Sequence, residues 1–228
     1  MRNKKCKLQS ENCKAKTAES EIFHFSFFNW QFAILLLILS GCAATGEIQT
    51  GRFDLLYGDP NKALGHFQRA ADIDPQFLHY SVFPQGVWTY LGRAQYRLAR
   101  YPEARQAFER ALARYDRDHM AHLYLGLALS RDGDRPRGLK EIQAGMKGLY
   151  DWLENTDYRL YGRYWDPGRD IRGGIEKHFR LTDAKEIDWP GVISAGEWLG
   201  RRFEEEIDRA RRDERENYER DGSDRTTR

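Results

Sequence analysis

Between Ala104 and Leu112 the apolar positions are Ala104, Ala107, Phe108, Ala111 and Leu112, the i, i+3, i+4, i+7, i+8 spacing of one helical face, with polar residues between them. Stripes of this kind predict helices over 46–57, 60–73, 86–98, 102–115, 119–131 and 135–149. Pro60, Pro102 and Pro136 fall in the opening turn of each second helix, where a missing N–H is harmless. Gly58, Asn61 and Gly133-Asp134 mark turns. A last helix is predicted over 194–218, with Ser194 and Glu197 as a capping box and Leu199, Phe203, Ile207 and Ala210 as a narrow apolar stripe. Beyond Ala210 almost nothing remains to bury, so 219–228 is expected to be a disordered tail.

The stripes repeat. Leu91, Gly92, Ala104, Phe108 and Ala111 recur 34 positions later as Leu125, Gly126, Gly138, Ile142 and Gly145. Gly51, Ala63, Phe67 and Ala70 precede the same set by 41, so seven extra residues separate the first two units, within the stretch near 75–85. A mid-helix glycine costs up to about 1 kcal/mol against alanine, which points to a close helix crossing at Gly92 and Gly126. Ala104 and Ala111 keep the facing helix thin while Phe108 fills the space between. With Trp88 at its head and Pro75 closing the earlier copy, the pattern resembles the tetratricopeptide repeat. The resemblance implies an all-α fold: a right-handed solenoid of antiparallel helix pairs, about three over 42–149. An aromatic-rich segment over 150–193 and the final helix would follow it.

The first forty residues change the setting. Arg2, Lys4, Lys5, Lys7, Lys14 and Lys16 against Glu11, Glu19 and Glu21 precede an apolar run from Trp30 to Leu39. Leu39-Ser40-Gly41-Cys42 closes that run and looks like the lipobox of a bacterial lipoprotein. The resemblance implies a signal peptide over 1–41, lipid attachment at Cys42 and a place in the cell envelope. Ala43 after the cysteine favours the outer membrane, facing the periplasm. Extending the run back through Ile22 leaves an uncleaved signal anchor as the other reading. Cleavage would remove Cys6 and Cys13, leaving no disulfide to staple the fold. It would also take six basic and three acidic residues from the 37 and 35 of the chain, leaving about −1, which gives no argument for nucleic acid as a partner.

By position in the repeat, the concave side is lined by Arg52, Thr89, Arg93, Tyr96, Arg97, Leu123, Leu127 and Arg131. Guanidinium groups there suit the carboxylates of a protein partner, with Tyr96, Leu123 and Leu127 gripping an apolar side chain. Two other readings stand: the arginines solvate a helix face, or the groove is taken by the chain's own C-terminal segment. Tyr158, Tyr161, Tyr164 and Trp165 either cap the open end of the stack or form a binding patch.

Candidate chemistry is thin. His119 and His122 share a face without a well-spaced third ligand, and Glu176 and His178 do not face each other, so no metal or other cofactor is called for. No glycine-rich phosphate loop, HExxH pair, nucleophile elbow or CxxC motif occurs. Asp157, Asp166, Asp170 and Glu176 are the acids a catalytic cleft would draw on, and surface duty is the simpler assignment. The sequence therefore points to a non-catalytic, lipid-anchored envelope adaptor that binds a polypeptide. A glycan-binding or structural envelope lipoprotein is the alternative.

Overall fold

Three helices open on one piece of chemistry, an aspartate that accepts a hydrogen bond from a backbone N–H of the first turn. Asp59 Oδ1 takes the N–H of Asn61 at 2.9 Å, Asp118 that of Ala121 at 2.9 Å and Asp134 that of Arg137 at 3.3 Å. The computed structural model describes residues 43–79, 83–156 and 165–226. The leader and Cys42 lie outside the described residues. The helices are α1 (43–57), α2 (Pro60–Ile73), α3 (Val87–Arg97), α4 (Tyr101–Arg114), α5 (His119–Asp132), α6 (Arg135–Asn155), α7 (Asp170–Thr182) and α8 (Trp189–Thr226). They pair antiparallel in order, α1 with α2 through α7 with α8, giving an all-α tetratricopeptide-type solenoid. Among the described residues no helix is long and apolar enough to cross a membrane.

The repeated glycines work as their spacing suggested, by two different means. A Cβ on Gly51 would stand 2.6 Å from the ring of Phe67, and one on Gly92 2.6 Å from that of Phe108. At Gly126 the neighbour is backbone: a Cβ would meet the Ile142 nitrogen at 2.5 Å and the Gly138 oxygen at 2.6 Å. Where Ile142 replaces the phenylalanine and Gly138 and Gly145 replace the alanines, α5 and α6 close up until their main chains touch. Gly133, at φ 103°, ends α5 in the left-handed conformation.

The insertion between the first two repeats carries a short antiparallel pairing, β1 (Leu78–His79) with β2 (Gln85–Gly86), in the register Leu78↔Gly86 and His79↔Gln85. It aims Phe83 inward, where the ring lies 4.5 Å from Phe203 and 4.9 Å from Trp152. Trp165 joins the cluster 4.7 Å from Trp152. Its ring is 6% exposed, so this member of the aromatic segment is interior and does not present a binding face. Tyr158, Tyr161 and Tyr164 lie outside the described residues.

The C-terminal third departs from expectation. Helix α6 runs on to Asn155, absorbing the first aromatics of the segment, and Gly173-Gly174 lies inside α7. Gly174 is tolerated there because the Trp198 ring occupies the space a side chain would need. Helix α8 starts at Trp189, five residues before Ser194, so the capping box is a misreading. The Asp188 carbonyl accepts the first helical bond from Val192 at 2.9 Å, and Pro190 sits in the opening turn. The helix continues to Thr226, through most of the stretch expected to be a disordered tail.

Candidate interaction groove

Helix α3 carries the centre of the concave face. Its register turns Val87, Leu91 and Ala94 into the N-terminal core with Phe67 and Tyr90, leaving Thr89, Arg93, Tyr96 and Arg97 on the inward side. Thr89 is spent locally: its hydroxyl donates to the buried Asp118 carboxylate at 2.6 Å, tying α3 to the start of α5. Burial pushes the Asp118 carboxyl up, opposed by the bonds from Thr89, Ala121 and Gly86. Arg52 arrives from α1, and Leu127 and Arg131 from α5. Leu123 is buried where α5 meets Gly145 of α6.

Helix α8 lies along this face. Gly196 and Gly200, one turn apart, let it settle on Leu127 and the Tyr124 ring. Leu199, Phe203, Ile207 and Ala210 form its buried stripe as the sequence indicated. The acids beside that stripe were missed. Glu204 is 1% exposed and sits between Arg52 and Arg93, each 3% exposed. Arg52 reaches its Oε2 at 2.8–2.9 Å and also holds Asp208 at 2.9 Å, while Arg93 pairs with Oε1. Gln85 of the insertion donates to the same Oε1 at 3.0 Å. Two turns earlier Glu197 accepts from the Tyr96 hydroxyl at 2.6 Å and from Arg131 at 3.2 Å. The positions expected as an open groove are thus largely covered by the chain's own last helix, one of the three readings the sequence allowed.

Burial alone would raise the Glu204 carboxyl, but the adjacent Arg93 and Arg52 guanidiniums outweigh it and hold it down to about 2. The same charge keeps both arginines protonated against their own desolvation. Burial and the neighbouring Glu197 push the Tyr96 hydroxyl up. Arg93 also lies over the Tyr124 ring at 5.0 Å, and its Nε, like Gln85 Oε1, has no hydrogen-bond partner among the described residues. Because Glu204 titrates lower folded than unfolded, its contribution is complete above the ordinary value of 4.5 and is lost as pH falls from there through about 2. We predict that urea midpoints will separate the wild type from a variant with all three charges replaced by apolar residues. The gap should be constant above pH 5 and change progressively below it, whereas a gap independent of pH would contradict this charge assignment.

Helix α8 leaves one part of the groove uncovered. A pocket of ≈ 310 Å³ remains between α1, α3, α5 and α8, walled in part by Leu55, Leu56, Arg97, Tyr101, Glu197 and Arg201. Elsewhere His122 serves a structural pair: its Nδ1 lies 2.7 Å from Glu141, and its Nε2 3.1 Å from the Asp116 carbonyl. Among the described residues no group of three or more His, Cys, Asp or Glu is placed to hold a metal ion.

Residues 86–118, from the end of the insertion through α3 and α4 to the cap of α5, match the family model of the tetratricopeptide repeat. No curated protein and no solved structure matches the chain. The class this defines is a helical-repeat scaffold for protein interaction, here with its concave face largely occupied from within.

Proposed function

We propose that the chain is a non-catalytic envelope adaptor, held to the outer membrane by lipid on Cys42, that binds a polypeptide partner at the mouth of its groove. The observation that carries the binding part is the pocket beside α8, where the concave face stays open and two arginine side chains, Arg97 and Arg201, stand exposed. The envelope part rests on Leu39-Ser40-Gly41-Cys42 and the basic leader before it. The glycan alternative draws no support from Trp165, whose ring is interior.

Each part has its own test. Intact-mass analysis of the protein from the membrane fraction should give a chain beginning at Cys42 with added acyl mass, and Cys42→Ser should abolish both cleavage and acylation. A full-length, unacylated chain would overturn the anchor. A photo-crosslinking residue in place of Leu56 should trap a polypeptide in cells, whereas the same group at exposed Lys62 on α2 should not. Failure to trap any polypeptide from Leu56 would overturn the adaptor.

A further inference from the structure

The groove already holds one ligand, the chain's own α8, and how it does so shows what the concave face recognises. Three of its arginines are answered by acids of that helix: Arg52 and Arg93 by Glu204, with Asp208 also on Arg52, and Arg131 by Glu197. Each acid lies next to apolar or glycine contact surface, Glu197 after Gly196 and Glu204 after Phe203. Two guanidiniums remain. Arg97 makes only a 3.4 Å bond to the Leu55 carbonyl, and neither it nor Arg201 forms an ion pair among the described residues. They stand on α3 and α8 and line the same pocket, to which Leu55, Leu56 and Tyr101 also contribute. Glu197 is the pocket's acid, and it is already engaged by Tyr96 and Arg131.

We infer that this pocket takes an acidic side chain of a polypeptide together with an adjacent large apolar residue. The carboxylate sits between Arg97 and Arg201, and the apolar group rests on Leu55 and Leu56. The inference rests on the adaptor reading and specifies its partner. A volume of ≈ 310 Å³ lies at the small end of ligand pockets, suited to a short extended stretch and not to a second helix. Two guanidiniums and two leucines lining one pocket favour a carboxylate flanked by leucine or phenylalanine over either feature alone. Because Arg201 belongs to α8, the site exists only while that helix is docked.

The test uses the full chain in detergent and a fluorescein-labelled octapeptide bearing one glutamate between two leucines in a serine-glycine background, compared with its glutamine counterpart. The glutamate peptide should bind about tenfold more tightly, as expected for one charge-assisted contact. Arg97→Ala/Arg201→Ala should erase that difference with the melting temperature unchanged, since both side chains are exposed. Arg97→Glu/Arg201→Glu should instead favour the peptide with lysine at the central position. Equal affinity for the glutamate and glutamine peptides, binding by neither, or discrimination surviving the double alanine variant would overturn the inference. A polypeptide trapped from Leu56 in cells with undiminished yield in that variant would also overturn this pocket while leaving the adaptor standing.

Discussion

Replacing Glu204 with glutamine is expected to lower the stability of the repeat unit by about 3–5 kcal/mol, the cost of breaking a buried ion pair by removing one partner. The shape is nearly conserved, so the loss is electrostatic. Arg52 keeps Asp208, but Arg93 is 3% exposed and, among the described residues, forms no other ion pair. Urea denaturation would show a lowered midpoint with an unchanged slope if the folded state stays compact. The companion variant carries Arg52→Met, Arg93→Leu and Glu204→Leu together. Buried ion clusters exchanged whole for apolar residues are often neutral or stabilising, so this triple change should cost far less than the single one. If Glu204→Gln shifts stability by less than about 1 kcal/mol, the arginines are solvated and α8 is not seated as described.

The second large effect is at Gly126. Helix propensity alone predicts that Gly126→Ala gains up to about 1 kcal/mol. The expected result is the opposite, a loss of about 3 kcal/mol, at the upper end of overpacking costs. The new methyl would meet the Ile142 nitrogen at 2.5 Å and the Gly138 oxygen at 2.6 Å, and main chain has no rotamer through which to yield. Gly65→Ala provides the control. It too is mid-helix, but its nearest neighbour would be the Arg69 guanidinium at 3.5 Å, so it should gain a few tenths of a kcal/mol or more. Thermal melts of the two variants should move in opposite directions, and a shared direction would contradict the close α5–α6 crossing.

These two sites differ in how far the sequence revealed them. Gly126 was legible because its information is local and repeated: the glycine recurs in register with Gly51 and Gly92, and the facing small residues recur with it. The same locality makes the ends of α2 coincide with the expected 60–73, since Asp59 and Pro60 announce its start. Glu204 was hidden. In a charged run such as Arg201-Arg202-Phe203-Glu204-Glu205-Glu206, solvation is the ordinary fate of a carboxylate, and nothing in the charge pattern tells the buried acid from its neighbours. Its partner lies 152 residues away, a separation no periodicity records. A signal was present in the Gly196–Gly200 pair, which thins one face of α8 in line with the acids at 197 and 204. The start of α8 was missed for another reason: Ser194 and Glu197 imitate a capping box, while the true entrance at Asp188-Trp189-Pro190 repeats the aspartate-and-proline opening of α2 and α6.

The position of Glu204 also favours one order of folding. Arg52, Gln85 and Arg93 come from the first half of the chain, and the carboxylate they share emerges more than a hundred residues after them. The helical hairpins can therefore assemble while the strip of positive charge between them is still hydrated. Seating of the last helix, with its long closure distance, then becomes the step that expels that water and completes the fold.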